Sequence, residues 1–541
     1  MIRITELKLP LDHSDTELED ALKQRLSTDI IEYHIIRRGY DARKRGHIQL
    51  VYTVDCKVVD DIHCLQQHSH DRHIQKAPEI GYRFVVDQGL GEKLASQSTY
   101  QRPVVIGAGP CGFMAGLLLA QMGLRPLILE RGKAVRERTV DTFAFWRKSQ
   151  FNAESNVQYG EGGAGTFSDG KLYTQISDPH HYSRKVLTEF VKAGAPEEIL
   201  YLSKPHIGTF RLVSMVEHIR AEIESYGGSY RFNAHVDSIV MDKNRQVMGV
   251  RLSDGEEIAS RHVILATGHS ARDMMVSLYN DGVEIHAKPF SVGVRIEHPQ
   301  SMIDQAQFGV QAGHKKLGAA DYKLVHHTGY DRGVYSFCMC PGGTVIAAAS
   351  EAGGVVTNGM SQYSRAERNA NAALVVSVDP QKDYPTHPLA GIDFQRDLEQ
   401  KAFVLGGSDY KAPAQRVEDF LAGRSTKAIG DVVPSYKPGV TPSNLQDILP
   451  TFVVDAIKEA LPAFNRKLAG FSFADAVMTG VETRTSSPIR IPRGENGQSV
   501  NTSGLYPAGE GAGYAGGIMS AAIDGIKMAE AVAKDILQSM R

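Results

Sequence analysis

Two regimes of apolar and polar positions follow one another along the chain. In the first 90 residues the apolar runs are short and strand-like: Ile2–Leu9, Glu32–Arg38 and His47–Val58, the last nearly alternating. Ser14-Asp15-Thr16-Glu17 has the form of a capping box and opens an amphipathic helix to about Leu26. A polar helical stretch follows Val58, and Tyr82–Val86 reads as a fourth strand. The order βαββαβ is that of a ferredoxin-like α+β module over residues 1–95. Gln88–Arg102, rich in Gly, Ser and Gln, reads as a linker.

From Pro103 the pattern becomes α/β. Val104-Val105-Ile106 is a buried strand, Phe113–Met122 an apolar helix and Leu127-Ile128-Leu129 the next strand, a compact βαβ unit. Residues 229–266 read as a small β-meander with turns at Asp242-Lys243-Asn244 and Asp254-Gly255, feeding the strand Val263–Ala266. Between about 275 and 470, strands (Gly333–Cys340, Thr344–Ala349) mix with polar helices such as Tyr363–Val376. Leu505-Tyr506 is a last strand, followed by a long helix from about Ile518 to the C-terminus. The pattern predicts a Rossmann-like dinucleotide domain in two parts, 100–274 and 471–541, with a mixed α/β substrate domain, 275–470, inserted between them.

Composition narrows the classes. Lys and Arg total 60 against 62 for Asp and Glu, a formal charge of −2, so nothing calls for a polyanionic partner or an anionic membrane surface. At 541 residues, 42% apolar and 23% charged, the chain is long enough for several cores and is not disordered. Five cysteines build no disulfide scaffold and the N-terminus lacks a secretory apolar run, so the chain reads as cytoplasmic and reduced. Pro103–Leu124 carries no charge over 22 residues, but its five glycines and two prolines suit a strand-turn-helix better than a membrane span. Glycine stands out: 52 residues, against about 7% of an average chain. Windows 107–116, 160–170 and 504–517 hold four, five and six of them.

The first window carries the chemistry. Gly107-Ala108-Gly109-Pro110-Cys111-Gly112 has the form G-x-G-x-x-G between a strand and a helix, and Glu130 ends the next strand. Gly107 permits the tight turn, Gly109 lets backbone N–H groups approach a pyrophosphate, and Gly112 allows close strand–helix packing. The helix N-terminus adds partial positive charge. Glu130 is suited to accept both ribose hydroxyls of an adenosine and would repel a 2′-phosphate, which favours FAD or NAD over NADP. The pattern recurs at Gly160–Gly165 and Gly511–Gly516, but the first has no strand just before it and the second opens the final helix. No second nucleotide-binding βαβ unit is expected. The run 160–170 reads as backbone passing close to the cofactor, with Ser168 and Lys171 as polar contacts, or as a plain surface loop.

Three more segments narrow the cofactor. Arg131–Arg138 is a basic loop able to reach a second phosphate; Val263–Leu265 leads into Ala266-Thr267-Gly268; and Gly504–Gly509 ends in Glu510 before Gly516-Gly517-Ile518 and the last helix. In this order the segments resemble the two-dinucleotide-type flavoproteins of the glutathione-reductase-like type. That resemblance implies FAD, a last-strand acid on the ribityl chain, and a helix N-terminus at the flavin N1–C2=O edge that stabilises the reduced anion. The usual acid is Asp; Glu510 stands here. Tyr159–Leu172, Phe337-Cys338-Met339-Cys340-Pro341-Gly342-Gly343, Val481–Arg490 and the closing Tyr506–Gly517 resemble, over essentially the whole chain, a family of uncharacterised bacterial FAD-dependent dehydrogenases. Motifs and resemblance together give the expected FAD contacts: Gly107, Ala108, Gly109, Pro110, Gly112, Glu130, Arg131, Arg138, Gly162, Gly163, Ala164, Lys171, Ala266, Thr267, Gly268, Gly509, Glu510, Gly516, Gly517 and Ile518.

Weaker signals have two readings each. Cys338 and Cys340 share one face of a strand and read as structural or cavity-lining, with a redox pair as the alternative. His63, Cys64, His68, His70 and His73 have no recognised metal spacing, so no metal is expected. Arg37, Arg38, Arg43, Lys44 and Arg45 read as a face docking on the flavin domain or, alternatively, as a nucleic-acid surface lacking the aromatic string of an RNA-binding sheet. Trp146 and Cys111 read as packing. His269, just after Ala-Thr-Gly, is a catalytic candidate by position alone.

The expected function is an FAD-dependent oxidoreductase, dehydrogenase or reductase, exchanging hydride at flavin N5 with a small molecule, NAD(P)H being a candidate transient reductant. The alternatives are a flavin-dependent RNA-modifying enzyme and a non-catalytic flavin-binding sensor.

Overall fold

A computed structural model describes residues 1–44, 46–385 and 387–539. At the N-terminus the strands Ile2–Pro10, Glu32–Asp41, Gln49–Lys57 and Ile74–Lys76 form an antiparallel sheet. The third strand lies between the first and second, and the fourth pairs with the first. The helices Asp15–Leu26 and Asp61–Gln67 bury Leu18, Leu22, Leu26 and Cys64 in one core with Ile2, Ile4 and Val54. Ser14 and Glu17 make both bonds of the capping box. The fourth strand is Ile74–Lys76 and not Tyr82–Val86. Tyr82 is half-buried against the last helix, its hydroxyl donating to Glu530 at 2.9 Å, and Phe84 is exposed. Nor is Gln88–Arg102 a bare linker: Gln88–Ala95 is a helix capped by Asp87, whose Gly91 lies so close to the Met122 carbonyl that no side chain fits.

The dinucleotide unit is a five-stranded parallel sheet, ordered Leu505–Pro507, Val263–Leu265, Val104–Ile106, Leu127–Leu129, Ser229–Arg231. Each central strand is a short apolar run because both faces are covered. The helix Pro110–Gln121 is apolar all round, and it is buried all round, against Thr209–Ser225 and Ile518–Ser539. That explains the uncharged 22 residues; no helix among the described residues is long and apolar enough to cross a membrane. Val236–Met241, Val247–Leu252 and Glu257–Ala259 form the meander. The final helix is Ile518–Ser539, and the last two residues lie outside the described ones.

The inserted region builds an eight-stranded sheet around Phe290–Pro299, which is flanked by Asn369–Val378 on one side and Val477–Glu482 on the other. Tyr363–Val376 is therefore not a helix: Asn369–Val378 is a ten-residue central strand. Its Ala and Val side chains are buried on both faces, which erases the alternation that marks a half-exposed strand. Gly333–Ala347 is one long strand where two were expected, and its regular pairing is interrupted between Phe337 and Cys340 and again before Gly343. Val477–Glu482, beyond residue 470, pairs into this sheet and not into the parallel one. Trp146, on the helix Val135–Lys148, is buried and donates to the Ala347 carbonyl at 2.9 Å. The two sheets face each other across one large cavity.

Candidate functional site

The glycine turn builds one wall of the cavity. Gly107 has φ +99°, and a Cβ on Gly112 would sit 1.8 Å from the Gly107 carbonyl oxygen, so both positions are closed to side chains. Gly109 is different: its φ is ordinary, and a Cβ there would meet only Gly163 Cα, at 3.6 Å. Gly109 is also the N-cap of the helix Pro110–Gln121, and no side chain caps that helix. Its first N–H groups therefore point to the cavity as a ready anion site. The second glycine run is tied to the first by Gly162 N–H donating to the Ala108 carbonyl at 2.8 Å.

Glu130 is the hub of this wall. One carboxylate oxygen accepts from Ala108 N at 2.8 Å, and the other from Gly132 N at 2.9 Å and Gly160 N at 2.8 Å. The carboxylate thus pins all three loops together while still lining the cavity. Arg131 also lines it, stacked 4.0 Å from the Tyr159 ring centre and paired with Glu154 and Asp273.

The cavity measures about 860 Å³. Of the expected contacts, Gly107, Gly109, Pro110, Glu130, Arg131, Gly163, Ala164, Lys171, Ala266, Thr267, Gly268, Glu510, Gly516, Gly517 and Ile518 line it. Five do not. Ala108 and Gly112 act from behind the turn. Gly162 is filled behind by Thr166, and Gly509 gives its N–H to Asp524 at 2.7 Å. Arg138 is the clear correction. It is fully buried and donates to the carbonyls of Asn156, Val157, Gly160 and Glu161, so it shapes the 156–161 loop and reaches no phosphate.

The opposite wall is made of charged and polar side chains from the eight-stranded sheet. Arg295, fully buried, donates to both oxygens of Glu482 at 3.2 Å, to Asn358 Oδ1 at 3.1 Å and to the Cys338 carbonyl at 2.8 Å. Burial, only partly offset by Arg295, raises the Glu482 carboxyl to about 7. Glu482, Asn358 and Cys338 all line the cavity, as does Arg484, which clamps Glu399 together with Arg272. Of these, Cys338 was singled out from sequence, and Glu482 and Arg484 fell within the Val481–Arg490 motif without a role assigned to either. The rest come from segments far apart in the chain, and no local pattern marks them.

Other candidates fall outside the site or change role. His269 lines the cavity but is held neutral: burial first, then Arg484 and Arg272, push it down to about 3. Glu510 lines the cavity with no side-chain hydrogen bond among the described residues, and burial raises it to about 8. Arg43 pairs with Asp41 at 2.5 Å, and the edge of Glu32–Asp41 pairs with Tyr201–Ser203 through Arg38 N–H and C=O, at 2.6 and 2.9 Å. Arg45 lies outside the described residues. His68 bonds the Leu26 carbonyl and His73 bonds Thr5.

Comparisons with known proteins now bear on this geometry. A protein of Clostridium beijerinckii described as uncharacterized is 45% identical over 535 residues, 98% of each chain. Residues 289–485 match the C-terminal domain-like model of FAD-dependent proteins, 101–296 the pyridine nucleotide-disulphide oxidoreductase model and 1–57 a domain of unknown function. The chain belongs to a family of uncharacterised bacterial FAD-dependent oxidoreductases. Among solved structures, this family member is similar to the flavin-dependent brominase Bmp2 (12% identity, TM-score 0.36, 82% and 80% of the two chains). It is also similar to CtdE in complex with FAD (11%, TM-score 0.30, 82% and 91%), and neither score is high enough to carry an argument.

FAD is the cofactor of this family, and the residues present fit it. The test is steric and electrostatic. Cβ atoms built on Gly268, Gly516 and Gly517 would meet nothing within 4 Å, so the backbone there is bare toward open space, and two helices begin at the cavity.

Proposed function

We propose that the cavity binds FAD across the glycine wall and a small substrate against the polar wall, and that the protein is a dehydrogenase or reductase. In this reading Gly109 and the N-terminus of Pro110–Gln121 take the pyrophosphate, Glu130 the adenosine ribose, and Glu510 the ribityl chain. At neutral pH the Glu510 carboxyl is largely protonated and donates a hydrogen bond to a hydroxyl, which suits the departure from Asp. The helix beginning at Ile518 places positive backbone charge where a reduced flavin is anionic. Bound FAD supplies two-electron, hydride-type chemistry at N5. The chain positions the substrate: Lys171, Arg484 and Asn358 offer donors, and Glu482, held near 7, is the group best poised to hold or release a proton.

The observation that carries this reading is the single cavity with bare backbone on one side and ionisable side chains on the other. The parallel sheet around the glycine wall also supports a glutathione-reductase-like FAD domain over 100–274 and the C-terminal part of 471–541, with a substrate domain that takes in 275–470 and Val477–Glu482, and a ferredoxin-like module before them. Among the described residues the parallel sheet carries one strand–glycine turn–helix nucleotide motif, so a pyridine nucleotide reacts as a transient visitor. The test is anaerobic titration of the yellow protein with NADH, NADPH and then dithionite, followed by an added acceptor. The bound flavin should bleach and recover. A flavin that no reductant of biological potential bleaches sinks the enzyme reading and leaves the sensor one.

A further inference from the structure

We propose that Cys338 and Cys340 form a dithiol/disulfide couple that exchanges two electrons with the bound flavin, an inference that rests on the FAD reading of the cavity. Residues two apart on a regular strand have Cα atoms roughly 6.6 Å apart, near the outer limit for a disulfide. The strand is not regular here. Phe337 pairs with Ala373 and Cys340 with Asn371, so three steps on one strand face two on its neighbour. Cys338 itself has φ +43°, a left-handed conformation in a residue that carries a Cβ. Such backbone persists only where its surroundings over-determine it. Arg295 does so by donating to the Cys338 carbonyl at 2.8 Å, and Cys340 Sγ turns back to donate to the same carbonyl at 3.4 Å.

The pair is asymmetric. Cys338 is half-buried and lines the cavity, while Cys340 is fully buried. The Cys340 hydrogen bond, Lys171 and Arg295 together lower the Cys338 thiol against its burial, and the same coupling raises Cys340. Cys338, at the cavity, is thus the more acidic of the two, and in this couple it reacts as the thiolate while Cys340 keeps its proton. In the oxidising direction the Cys340 S–H bond breaks and a Cys338–Cys340 S–S bond forms. The two electrons and the Cys340 proton pass to the flavin, and the thiolate's negative charge ends on the reduced ring. The reverse reaction opens the disulfide and returns the flavin to its oxidised form.

The experiment uses FAD-loaded wild type, Cys338→Ser and Cys340→Ser. Air-oxidised wild type should yield a peptide lacking two hydrogens across Cys338–Cys340, and should consume twice as much dithionite per flavin as either variant. Cys340→Ser, with a free thiolate at 338, should show long-wavelength thiolate–flavin charge-transfer absorbance, and Cys338→Ser should not. Equal reductant uptake by all three proteins, without the linked peptide, overturns the couple while leaving the FAD reading intact. A protein that stays colourless after incubation with FAD overturns both, before any reductant is added.

Discussion

The two walls of the cavity solve opposite problems. On the glycine wall the chain removes side chains so that backbone N–H groups and helix ends meet the cofactor. A single carboxylate, Glu130, holds three loops by their amides. On the other wall the chain supplies charge: Arg295, Glu482 and Arg484, each buried and paired, and Lys171, half-buried beside Asp169. The first wall fails when something is added, the second when something is removed.

That difference gives the largest expected effects. Gly112→Val puts a side chain 1.8 Å from a carbonyl oxygen and should prevent folding, read as loss of soluble protein or of cooperative melting. Gly109→Val adds bulk where the only near atom is at 3.6 Å. It should leave the flavin-free melting temperature almost unchanged while cutting FAD retention at least about tenfold, a loss of about 1.4 kcal/mol of binding. If the Gly109 variant keeps its colour, the pyrophosphate does not lie where the glycine wall puts it.

On the polar wall, Arg295→Met leaves Glu482 buried without its partner and should cost about 3–5 kcal/mol of stability. Adding Glu482→Met should restore most of that loss, because an apolar pair needs no compensation. Denaturant unfolding of the wild type and of the single and double variants decides it. A double variant no more stable than Arg295→Met would show that the Asn358 and Cys338 carbonyl contacts, and not the ion pair, carry the cost.

How far each wall was legible follows from the same contrast. The glycine turn, Glu130 and the last-strand acid are local: a few adjacent residues define each, and the backbone conformation they need excludes other residue types. Arg138 misled because a basic loop beside a nucleotide motif looks like phosphate binding. Its four carbonyl partners lie at 156–161, which only the folded loop brings near. Beyond Lys171, the polar wall draws on residues 295, 338, 358 and 482, joined by the register of a sheet whose central strand Asn369–Val378 itself read as helix, and on Arg484 just past the sheet. A strand buried on both faces shows no period of two, so neither its type nor its neighbours could be read from it.

A smaller effect separates the walls by pH. Burial raises Glu510 from the ordinary 4.5 to about 8, so between those values the folded state holds a proton that the unfolded chain has lost. The folded state then binds more protons, and raising the pH favours unfolding. Removing the carboxyl with Glu510→Gln should therefore stabilise the flavin-free protein by a few degrees at pH 8 and hardly at all at pH 4.5. A melting difference that is flat across this window would mean that the carboxyl is solvated in the cavity.

The smallest effect concerns neither wall but the module beside them. Arg43 is exposed and its guanidinium forks onto Asp41, which also accepts from Lys8, so Arg43→Ala should leave the denaturant midpoint unchanged. What fixes the module lies elsewhere: Arg38 N–H and C=O are paired with Tyr201 and Ser203, Ile48 N–H donates to Gln311 Oε1 at 2.9 Å, and Lys316 donates to the His13 carbonyl at 3.0 Å. Neutralising Arg43 and Lys44 together should therefore leave both stability and FAD content untouched. If the same double variant lost a salt-sensitive affinity for RNA, the basic strand end would be a binding surface and not the solvated end of a docked strand.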